Sequence, residues 1–485
     1  MSRFAAGYVL PALFFSSARA QDSNAPPSAA VDLSWHAPNQ TWINDITQVV
    51  NGSGTYGFHF GGSTLPADVK YGTYNWCNMP HVREDMYPDP PKGYELTYVE
   101  LIHRHHKRTP YANNTFPREG YSWECTDEGL SYYGSPLNPQ NPNPAQTYWF
   151  VHTSEVNPFA PKGFNGSCQF PQITRAGLED SWQHGKDLYQ VYHSRLHGFP
   201  AEPDEKVSFR VTSNAITSQV AGMVISGMFP AIWDGRYPVN IQPSSIDSLE
   251  PAYSCPASNQ ISGQYGAGSS NPAWTGHLSA TADLFRSLDV VSGVSSSDSE
   301  WHRSFDHYYD NLSTRQCHQK PLPCKIGSEM ECVTQAQANE VYRLGQYEYS
   351  YLYRDSPESL EVAKRSYGVW VAELARNMRD HVAGVKPVVY MHNIAHDGSV
   401  SLLLAILQID VMAWPGMGAE VVFEMYKNGD QDKRYVRVLF GGQVLTSSNP
   451  SLGEMDMIEL DILLDYFDGL VGANAAMVPT LCANE

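Results

Sequence analysis

Residues 104–110 place a histidine between two arginines, in the sequence Arg-His-His-Lys-Arg-Thr-Pro. The guanidinium groups of Arg104 and Arg108 each offer a planar fork of donors that matches phosphate oxygens. These cations also lower the cost of bringing an anion up to a neutral imidazole, which makes His105 a candidate nucleophile. The pattern therefore predicts phosphoryl transfer through histidine.

The segment before this motif bears on whether the motif is a buried site or a basic surface patch. Basic runs are usually solvated surface or, less often, nucleic-acid contacts. Here residues 94–102 are rich in apolar and β-favouring side chains, which predicts a buried strand. Residues at the carboxyl end of such a strand commonly line the ligand crevice of an open α/β sheet, and this favours a site.

A second group of polar residues, at positions 392–399, follows another predicted strand at 386–391. His396 and Asp397 stand between this strand and an apolar helix predicted at 400–409, so both side chains can face one crevice. The helix N-terminus behind them also favours bound anions. The alternative is that Asp397 only caps the helix.

The first twenty residues predict a cleavable secretory signal. An early Arg3 precedes an apolar stretch at 4–15, and residues 18–20 match the small-residue pattern of a cleavage site. No later apolar run is long enough to cross a bilayer, and the tail lacks the hydrophobic ending of a lipid-anchor signal. We therefore expect a secreted protein with no membrane partner.

Sequons and cysteines fit the same compartment. Acceptor sequons for N-glycans occur at Asn39, Asn51, Asn113, Asn165 and Asn311. The eight cysteines are an even number and show no tight pattern of Cys and His ligands, which favours disulfides over zinc. Spacing leaves their pairing open.

The net charge of −19 argues against nucleic acid or an anionic membrane as the main partner. A phosphate site in so acidic a chain must be a local cluster of positively charged side chains. The concentration of Arg104, Lys107 and Arg108 is therefore more informative than it would be in a basic protein.

Element patterns predict an α/β protein assembled from both ends of the chain. A helix at 174–196 with Thr174 as cap precedes a strand at 207–212 and a helix at 214–229. The Gly, Ser and Asn-rich stretch 259–275 predicts a surface loop. The predicted division is a signal peptide at 1–20, an α/β catalytic domain from 21–230 plus 385–485, and a mostly helical insertion at 231–384.

Four further histidines and a group of tyrosines fit structural roles better than functional ones. His152, His184, His193 and His197 lie among aromatic and helical residues, where packing or surface positions are favoured over ligation. The tyrosines at 342–353 recur at helical spacing, which favours core and domain interface over a sugar-stacking platform.

Taken together, the two motifs resemble those of the histidine acid phosphatase family, branch 2 of the histidine phosphatase superfamily, which includes fungal secreted acid phosphatases and phytases. The family pattern Arg-His-Gly-x-Arg-x-Pro is matched by Arg104, His105, Arg108 and Pro110, and the later His-Asp pair by His396 and Asp397. Segments 172–192 and 209–229 also resemble family elements, so the resemblance spans most of the mature chain.

The resemblance implies a role for each matched residue. His105 would be the nucleophile that forms a phosphohistidine, and Arg104 and Arg108 would hold the phosphoryl oxygens. His396 would add a further contact, and a protonated Asp397 would act as the general acid at acidic pH. The implied fold is a phosphoglycerate-mutase-like sheet domain flanked by helices. The implied chemistry needs no metal or other cofactor.

Two positions depart from the family pattern. His106 stands where the family usually has glycine, which would place a bulky ring beside the nucleophile. A third pocket arginine is expected after the strand at 207–212, but residues 213–218 contain none, and Arg210 comes too early in the segment. One lost hydrogen bond to a charged group weakens the site by roughly 1.5 to 3 kcal/mol.

The sequence thus predicts a metal-independent acid phosphomonoesterase that acts on a small phosphate ester. Inositol phosphates and simple esters both stay open, although few cations beyond Lys107 are present to bind phytate. One alternative is a diverged family member with a non-phosphate substrate. The other is a secreted binding glycoprotein without turnover, against which the joint presence of His105, His396 and Asp397 counts.

Overall fold

A computed structural model gives the structure of this chain. It describes residues 31–55, 74–125, 130–133, 145–148, 151–152, 154, 156–159, 165–230, 237–429 and 433–483. The predicted signal peptide lies outside the described residues and stays a prediction.

A mixed sheet forms the centre of the protein. The described strands are β1 (Tyr94–Arg104), β2 (Leu130–Tyr133), β3 (Ala145–Tyr148), β4 (Val207–Val211), β5 (Val239–Ile241), β6 (Tyr390–Ala395), β7 (Glu420–Asn428), β8 (Arg434–Phe440), β9 (Gln443–Val444) and β10 (Ile458–Glu459). The sheet runs in the order β10-β8-β7-β1-β6-β4-β5, with β9 beside β8, while β2 and β3 pair separately.

Strand β1 divides the sheet into two halves. On one side β6 pairs parallel with β1, β4 with β6 and β5 with β4. On the other side β7 pairs antiparallel with β1, and β8 pairs antiparallel with β7. Strand β1 is nearly continuously buried from Tyr98 to Arg104, because layers of helices cover both faces of this part of the sheet. The carboxyl ends of β1, β6 and β4 therefore meet at one edge.

Helices make up most of the remaining described chain. They are α1 (Ile46–Asn51), α2 (Arg175–Arg195), α3 (Ala215–Met228), α4 (Pro256–Tyr265), α5 (Pro272–Ala280), α6 (Ala282–Ser292), α7 (Asp306–Cys317), α8 (Gln335–Ser350), α9 (Glu358–Ser366), α10 (Gly368–Val382), α11 (Asp397–Ile406), α12 (Leu460–Val471) and α13 (Val478–Cys482). A π-helical turn at Tyr351–Asp355 and short 3₁₀ turns at Ala112–Asn114 and Ala473–Ala475 complete them. The α/β fold class predicted from the sequence is confirmed.

Helix α2 packs directly on the loop that carries the first motif. Thr174 caps the helix by accepting a hydrogen bond from the backbone of Gly177, as the sequence predicts. A Cβ at Gly177 would lie 2.0 Å from the carbonyl oxygen of Lys107, so only glycine permits this approach. Helix α2 thereby supports the backbone just beyond His105.

The predicted loop at 259–275 is wrong, because most of it is helical in α4 and α5. Proline stands in the first turn of both helices, and the side chain of Asn271 caps α5. Tyr265 and Trp274 are buried, so packing overrides the low helix propensity of the glycines and serines.

The predicted domain boundaries near residues 230 and 385 stay a prediction. Strand β5 lies within the predicted insertion, yet it pairs with β4 and extends the sheet. Helix α10 also lies within it, and its Trp370 and Leu374 share one buried cluster with Ile102 of β1. The sheet thus takes elements from the middle of the chain as well as from its ends.

All eight cysteines form disulfides, which confirms that part of the prediction. The pairs are Cys77–Cys317, Cys125–Cys168, Cys255–Cys482 and Cys324–Cys332. The first pair ties α7 to the segment before β1. Among the described residues, we find no helix with the length and apolar character to cross a membrane.

One predicted glycan site is wrong for the folded protein. Asn311 is buried in α7, where its amide donates to the carbonyl oxygen of Asn114 at 2.9 Å and its Oδ1 accepts from Arg315 at 3.0 Å. No glycan fits on this nitrogen. The other four sequon asparagines are exposed: Asn39, Asn51, Asn113 and Asn165.

Candidate active site

The parallel pairing of β1 with β6 brings the two sequence motifs together. Arg104 stands opposite Ala395 in the sheet, so the residues that follow each strand are neighbours. The backbone N–H of His105 donates to the carbonyl oxygen of Ala395 at 3.0 Å. The rings of His105 and His396 consequently lie 5.4 Å apart, between their centroids.

His105 presents one free ring nitrogen. Its Nδ1 lies 3.0 Å from the carbonyl oxygen of His106, and because a carbonyl can only accept, Nδ1 carries the proton. The Nε2 atom is buried and has no hydrogen-bond partner among the described residues. Burial, and then the guanidiniums of Arg108 and Arg104, hold the pKa of His105 well below its usual range. The side chain is a neutral imidazole with an available lone pair.

Arg104 is held in place from three sides. One Nη donates to the carbonyl oxygen of Pro415 at 2.7 Å, and the other lies 3.1 Å from Oδ2 of Asp397. The guanidinium also lies over the ring of Trp76, 4.6 Å from its centroid. A group this well packed can meet an anion with little reorganisation.

Arg108 is oriented by a carboxylate of α7. One Nη lies 3.0 Å from Oδ1 of Asp310, and the guanidinium stacks 4.1 Å from the ring centroid of Tyr111. Asp310 in turn accepts from the side chain of Asn114 at 2.7 Å and from the backbone of Tyr111 at 3.1 Å. This network fixes the direction of the second phosphate-binding candidate.

Asp397 is the first residue of α11 and has three donors around it, of which Arg104 is one. Its Oδ1 accepts from the backbone N–H of Gly398 at 2.9 Å, and its Oδ2 accepts from Nε1 of Trp414 at 2.8 Å. Burial raises the pKa of Asp397, but Arg104, the Trp414 N–H and Arg108 together bring it below its ordinary value. The carboxyl of Asp397 is therefore an anion in the ligand-free site at neutral pH, and its role as the general acid stays a prediction.

Thr212 and Glu250 border His396 on the side where the family pattern led us to expect an arginine. The His396 Nε2 lies 3.0 Å from the hydroxyl of Thr212, which follows β4, and 3.4 Å from Oε1 of Glu250. Burial lowers the pKa of His396 to about 4, although Asp397 opposes this shift. A hydroxyl and a carboxylate thus border this side of the site.

Arg210 does not replace the missing arginine. Its guanidinium binds Glu373 at 2.7 Å and Asp247 at 3.1 Å, and it also donates to the hydroxyl of Ser248. These partners hold it on the strand, before the crevice. This confirms the prediction that Arg210 comes too early in the segment to serve as the third pocket arginine.

The ring of His106 does not crowd the nucleophile, so that expectation is wrong. The side chain is fully buried, and its Nε2 lies 3.1 Å from Nδ1 of His184. Gly418 makes room for it, because a Cβ there would lie 2.4 Å from Cε1 of His106. The extra ring is accommodated in the core.

Acidic and aromatic side chains that the sequence analysis missed lie around the pair of motifs. Asp306, at the start of α7, is exposed to solvent on one side, yet surrounding protein and the carboxylates of Asp310 and Asp397 raise its pKa to about 7. Tyr349 stacks on Trp414 at 4.0 Å between ring centroids. The sequence analysis connected none of these residues with the two motifs, since their proximity arises only in the fold.

Comparisons with known proteins support the fold. No protein-family model matches the chain. It is 23% identical over 382 residues to Counting factor 60 of Dictyostelium discoideum, which covers 76% of this chain and 85% of that protein. The apo phytase of Hafnia alvei aligns with a TM-score of 0.52 and 12% identity, covering 82% of this chain and 100% of the phytase. The same enzyme with tartrate gives a TM-score of 0.53 at 12% identity, over 79% and 99% of the two chains.

The packing of His106 against Gly418 predicts a coupled effect on stability. Gly418 has φ of +74° and no space for a Cβ, so Gly418→Ala should lower the free energy of unfolding by about 1 to 3 kcal/mol. In a His106→Gly background only the backbone strain should remain, and the cost of Gly418→Ala should fall. Urea unfolding of the two single variants and the double variant measures this coupling. Strictly additive costs would contradict the contact.

The carboxylates of Asp306, Asp310 and Asp397 predict that anion binding depends on pH. Sulfate stays a dianion between about pH 5 and pH 8, so changes in its affinity over this range report the protein's own charges. Because Asp306 loses its proton near pH 7 beside Asp310, Asp397, Glu348 and Arg108, sulfate should bind more weakly as pH rises through that value.

Calorimetric titration of sulfate at several pH values tests this dependence. Asp306→Asn should flatten it, whereas Glu329→Gln, which removes an exposed carboxylate from the Cys324–Cys332 hairpin, should leave it unchanged. An unaltered slope in Asp306→Asn would show that another group controls the affinity.

Proposed function

We propose that this protein is a secreted acid phosphatase that hydrolyses phosphate monoesters through a phosphohistidine at His105. The observation that carries the proposal is the free Nε2 of a neutral, buried imidazole set among Arg104, Arg108 and His396. A nucleophile, oxyanion donors and a carboxyl group on one sheet edge are the parts that such a reaction needs. The four disulfides and the predicted signal peptide support secretion.

In the first step, Nε2 of His105 attacks phosphorus and the bond from phosphorus to the ester oxygen breaks. The guanidiniums of Arg104 and Arg108 stabilise the phosphoryl oxygens, and His396 adds a polar contact. Asp397 supplies the proton that leaves with the alcohol. The Nδ1–H bond to the carbonyl of His106 keeps the ring in the reactive tautomer and orientation.

In the second step, water attacks the phosphohistidine on the opposite side. Asp397, now a carboxylate, takes a proton from this water, and the bond from Nε2 to phosphorus breaks. Inorganic phosphate leaves and the neutral imidazole is restored. Both steps use only groups of this chain, substrate and water, so neither needs a metal ion.

The protonation of Asp397 depends on the substrate in this account. In the ligand-free site Arg104 and Trp414 hold the carboxyl as an anion. A bound phosphate recruits Arg104 to its own oxygens and adds negative charge beside Asp397, and both effects raise the pKa of this carboxyl. Acidic solution then supplies the proton.

The charges around the site favour a small substrate over phytate. Asp306, Asp310 and Glu250 border the crevice, and Arg210 is held elsewhere by its own carboxylates. A polyphosphorylated ring would bring several anionic groups against these side chains. A simple monoester presents one phosphate to Arg104 and Arg108 and leaves the remaining space to its alcohol.

The alternative is a diverged protein that acts on a non-phosphate substrate or binds a ligand without turnover. Two observations favour it. Both pocket guanidiniums are already paired with carboxylates, and Glu250 lies 3.4 Å from His396 on the side where the family pattern has a cation.

Hydrolysis of an aryl phosphate by the purified protein, at acidic and neutral pH, tests the proposal. His105→Ala should lower kcat by about 10³-fold or more, because no other nucleophile replaces the imidazole. His193→Ala removes an exposed histidine of α2 and serves as the matched control with full activity. Thermal unfolding should confirm that both variants fold.

Residual hydrolysis in His105→Ala close to that of the wild type would overturn the histidine mechanism. Folded wild-type protein that neither hydrolyses aryl phosphate nor binds sulfate or vanadate would favour the non-phosphate alternative. These two outcomes separate a wrong nucleophile from a wrong substrate class.

Replacement of Asp397 tests the general acid. Asp397→Asn should slow alkyl phosphates far more than aryl phosphates, since a good leaving group needs little protonation. The ratio of kcat/KM values for the two esters in wild type and variant is the measurement. Equal slowing of both would assign Asp397 a role in binding or in positioning Arg104.

A further inference from the structure

Three histidines form a buried group next to the nucleophile, outside the chemistry derived above. His103 is the penultimate residue of β1, His106 lies in the motif loop and His184 is on α2. All three side chains are fully buried. One ring nitrogen from each residue lies within 4.8 Å of one from each of the others. We call these three residues the histidine cluster.

His103 directs an unprotonated nitrogen into the protein. Its Nδ1 lies 2.8 Å from the carbonyl oxygen of Arg104, which can only accept, so Nδ1 carries the proton. Its Nε2 then carries a lone pair and has no hydrogen-bond partner among the described residues. This atom is oriented as a ligand nitrogen would be.

His184 is oriented in the same way by a carboxylate. Its Nε2 lies 2.9 Å from Oε2 of Glu420, which is itself fully buried and accepts from the backbone of Val82. The lone pair of His184 is therefore on Nδ1, which lies 3.1 Å from Nε2 of His106. Histidine ligands of metal ions commonly donate their other N–H to a carboxylate or a backbone carbonyl in this manner.

Hydrogen bonding alone does not satisfy the cluster. A bond between His106 and His184 leaves both His103 Nε2 and His106 Nδ1 buried without partners among the described residues. Each such atom costs about 1 to 3 kcal/mol relative to a satisfied one. Native proteins bury few such atoms. An ion held by Nε2 of His103, Nε2 of His106 and Nδ1 of His184 would satisfy the first of the two, whereas Nδ1 of His106 would keep its proton without a partner among the described residues.

We propose that the histidine cluster binds one divalent transition-metal ion, with Zn²⁺ as the best match. Imidazole nitrogens suit zinc, and two nitrogens on a tetrahedral zinc are about 3.3 Å apart, close to the distance between His106 and His184. Three histidines leave a fourth position for water or hydroxide. The buried carboxylate of Glu420 compensates part of the charge, and Asp187, bound to the neighbouring His81, adds another.

The ion takes no part in the reaction steps proposed for His105. Its ligands are the residues on either side of the Arg104–His105 pair, together with α2, so it holds the backbone of the nucleophile against the helix layer. The inference gives His184 a ligand role, where the sequence favours packing. It does not depend on the phosphatase proposal, because its readouts are metal content and stability.

Metal analysis of purified and refolded protein tests the site. Wild-type protein refolded with Zn²⁺ and then dialysed should retain about one zinc per chain, with a nitrogen-dominated X-ray absorption spectrum at roughly 2.0 Å. It should also unfold at a higher temperature than protein refolded with a chelator. Refolding is needed because a fully buried ion exchanges slowly.

Variants locate the ion. His184→Ala and His103→Gln should each lose the bound zinc and the zinc-dependent rise in Tm. His277→Ala removes a buried histidine paired with Glu348 in the helical region and should keep both. Should a cluster variant fail to fold, visible absorption of Co²⁺ in the wild type, changed in His106→Gly, provides the second test.

Wild-type protein that retains no zinc after refolding, with no change in Tm, would overturn the proposal. Zinc retained at full stoichiometry in both His184→Ala and His103→Gln would overturn it as well, because the ion would then lie elsewhere. Either result would leave a metal-free network of neutral imidazoles as the explanation of the cluster.

Discussion

The candidate site depends on the parallel pairing of β1 with β6. The register that sets Arg104 opposite Ala395 makes His105 and His396 neighbours although they are almost three hundred residues apart in the chain. A shift of one residue would turn every side chain of β1 to the opposite face of the sheet. The helix layers on both faces forbid such a shift. The packing that fixes the register of β1 therefore also fixes the geometry of the site.

Burial of the two guanidiniums explains most of the remaining architecture around the site. A buried cation needs a partner, and Arg104 takes Asp397 while Arg108 takes Asp310. A phosphate that enters must compete with these carboxylates, in a crevice that also faces Asp306 and Glu250. The same pairing that keeps the ligand-free site stable therefore opposes the entry of further negative charge.

Local sequence signals predicted strand β1, helix α2 with its Thr174 cap and helix α3, because these elements depend on neighbours in the chain. They also predicted the matched residues of the family pattern. Asp310, Glu250, Trp414 and His184 could not be found in this way, since each reaches its place through tertiary packing of a distant segment. The predicted loop at 259–275 failed for the same reason. His106 is the instructive case: its departure from glycine was visible in the sequence, but its burial against Gly418 and His184 required the fold.

The central claim is that His105 becomes covalently phosphorylated during turnover. The most direct measurement is rapid mixing of the protein with an aryl phosphate, quenching in alkali and mass spectrometry of the peptide that contains residues 104–108. The account predicts one added phosphoryl group on His105, which is stable to alkali, labile to acid and absent in His105→Ala. Turnover by wild-type protein with no phosphorylated peptide, under conditions that preserve phosphohistidine, would contradict it and would indicate direct attack by water.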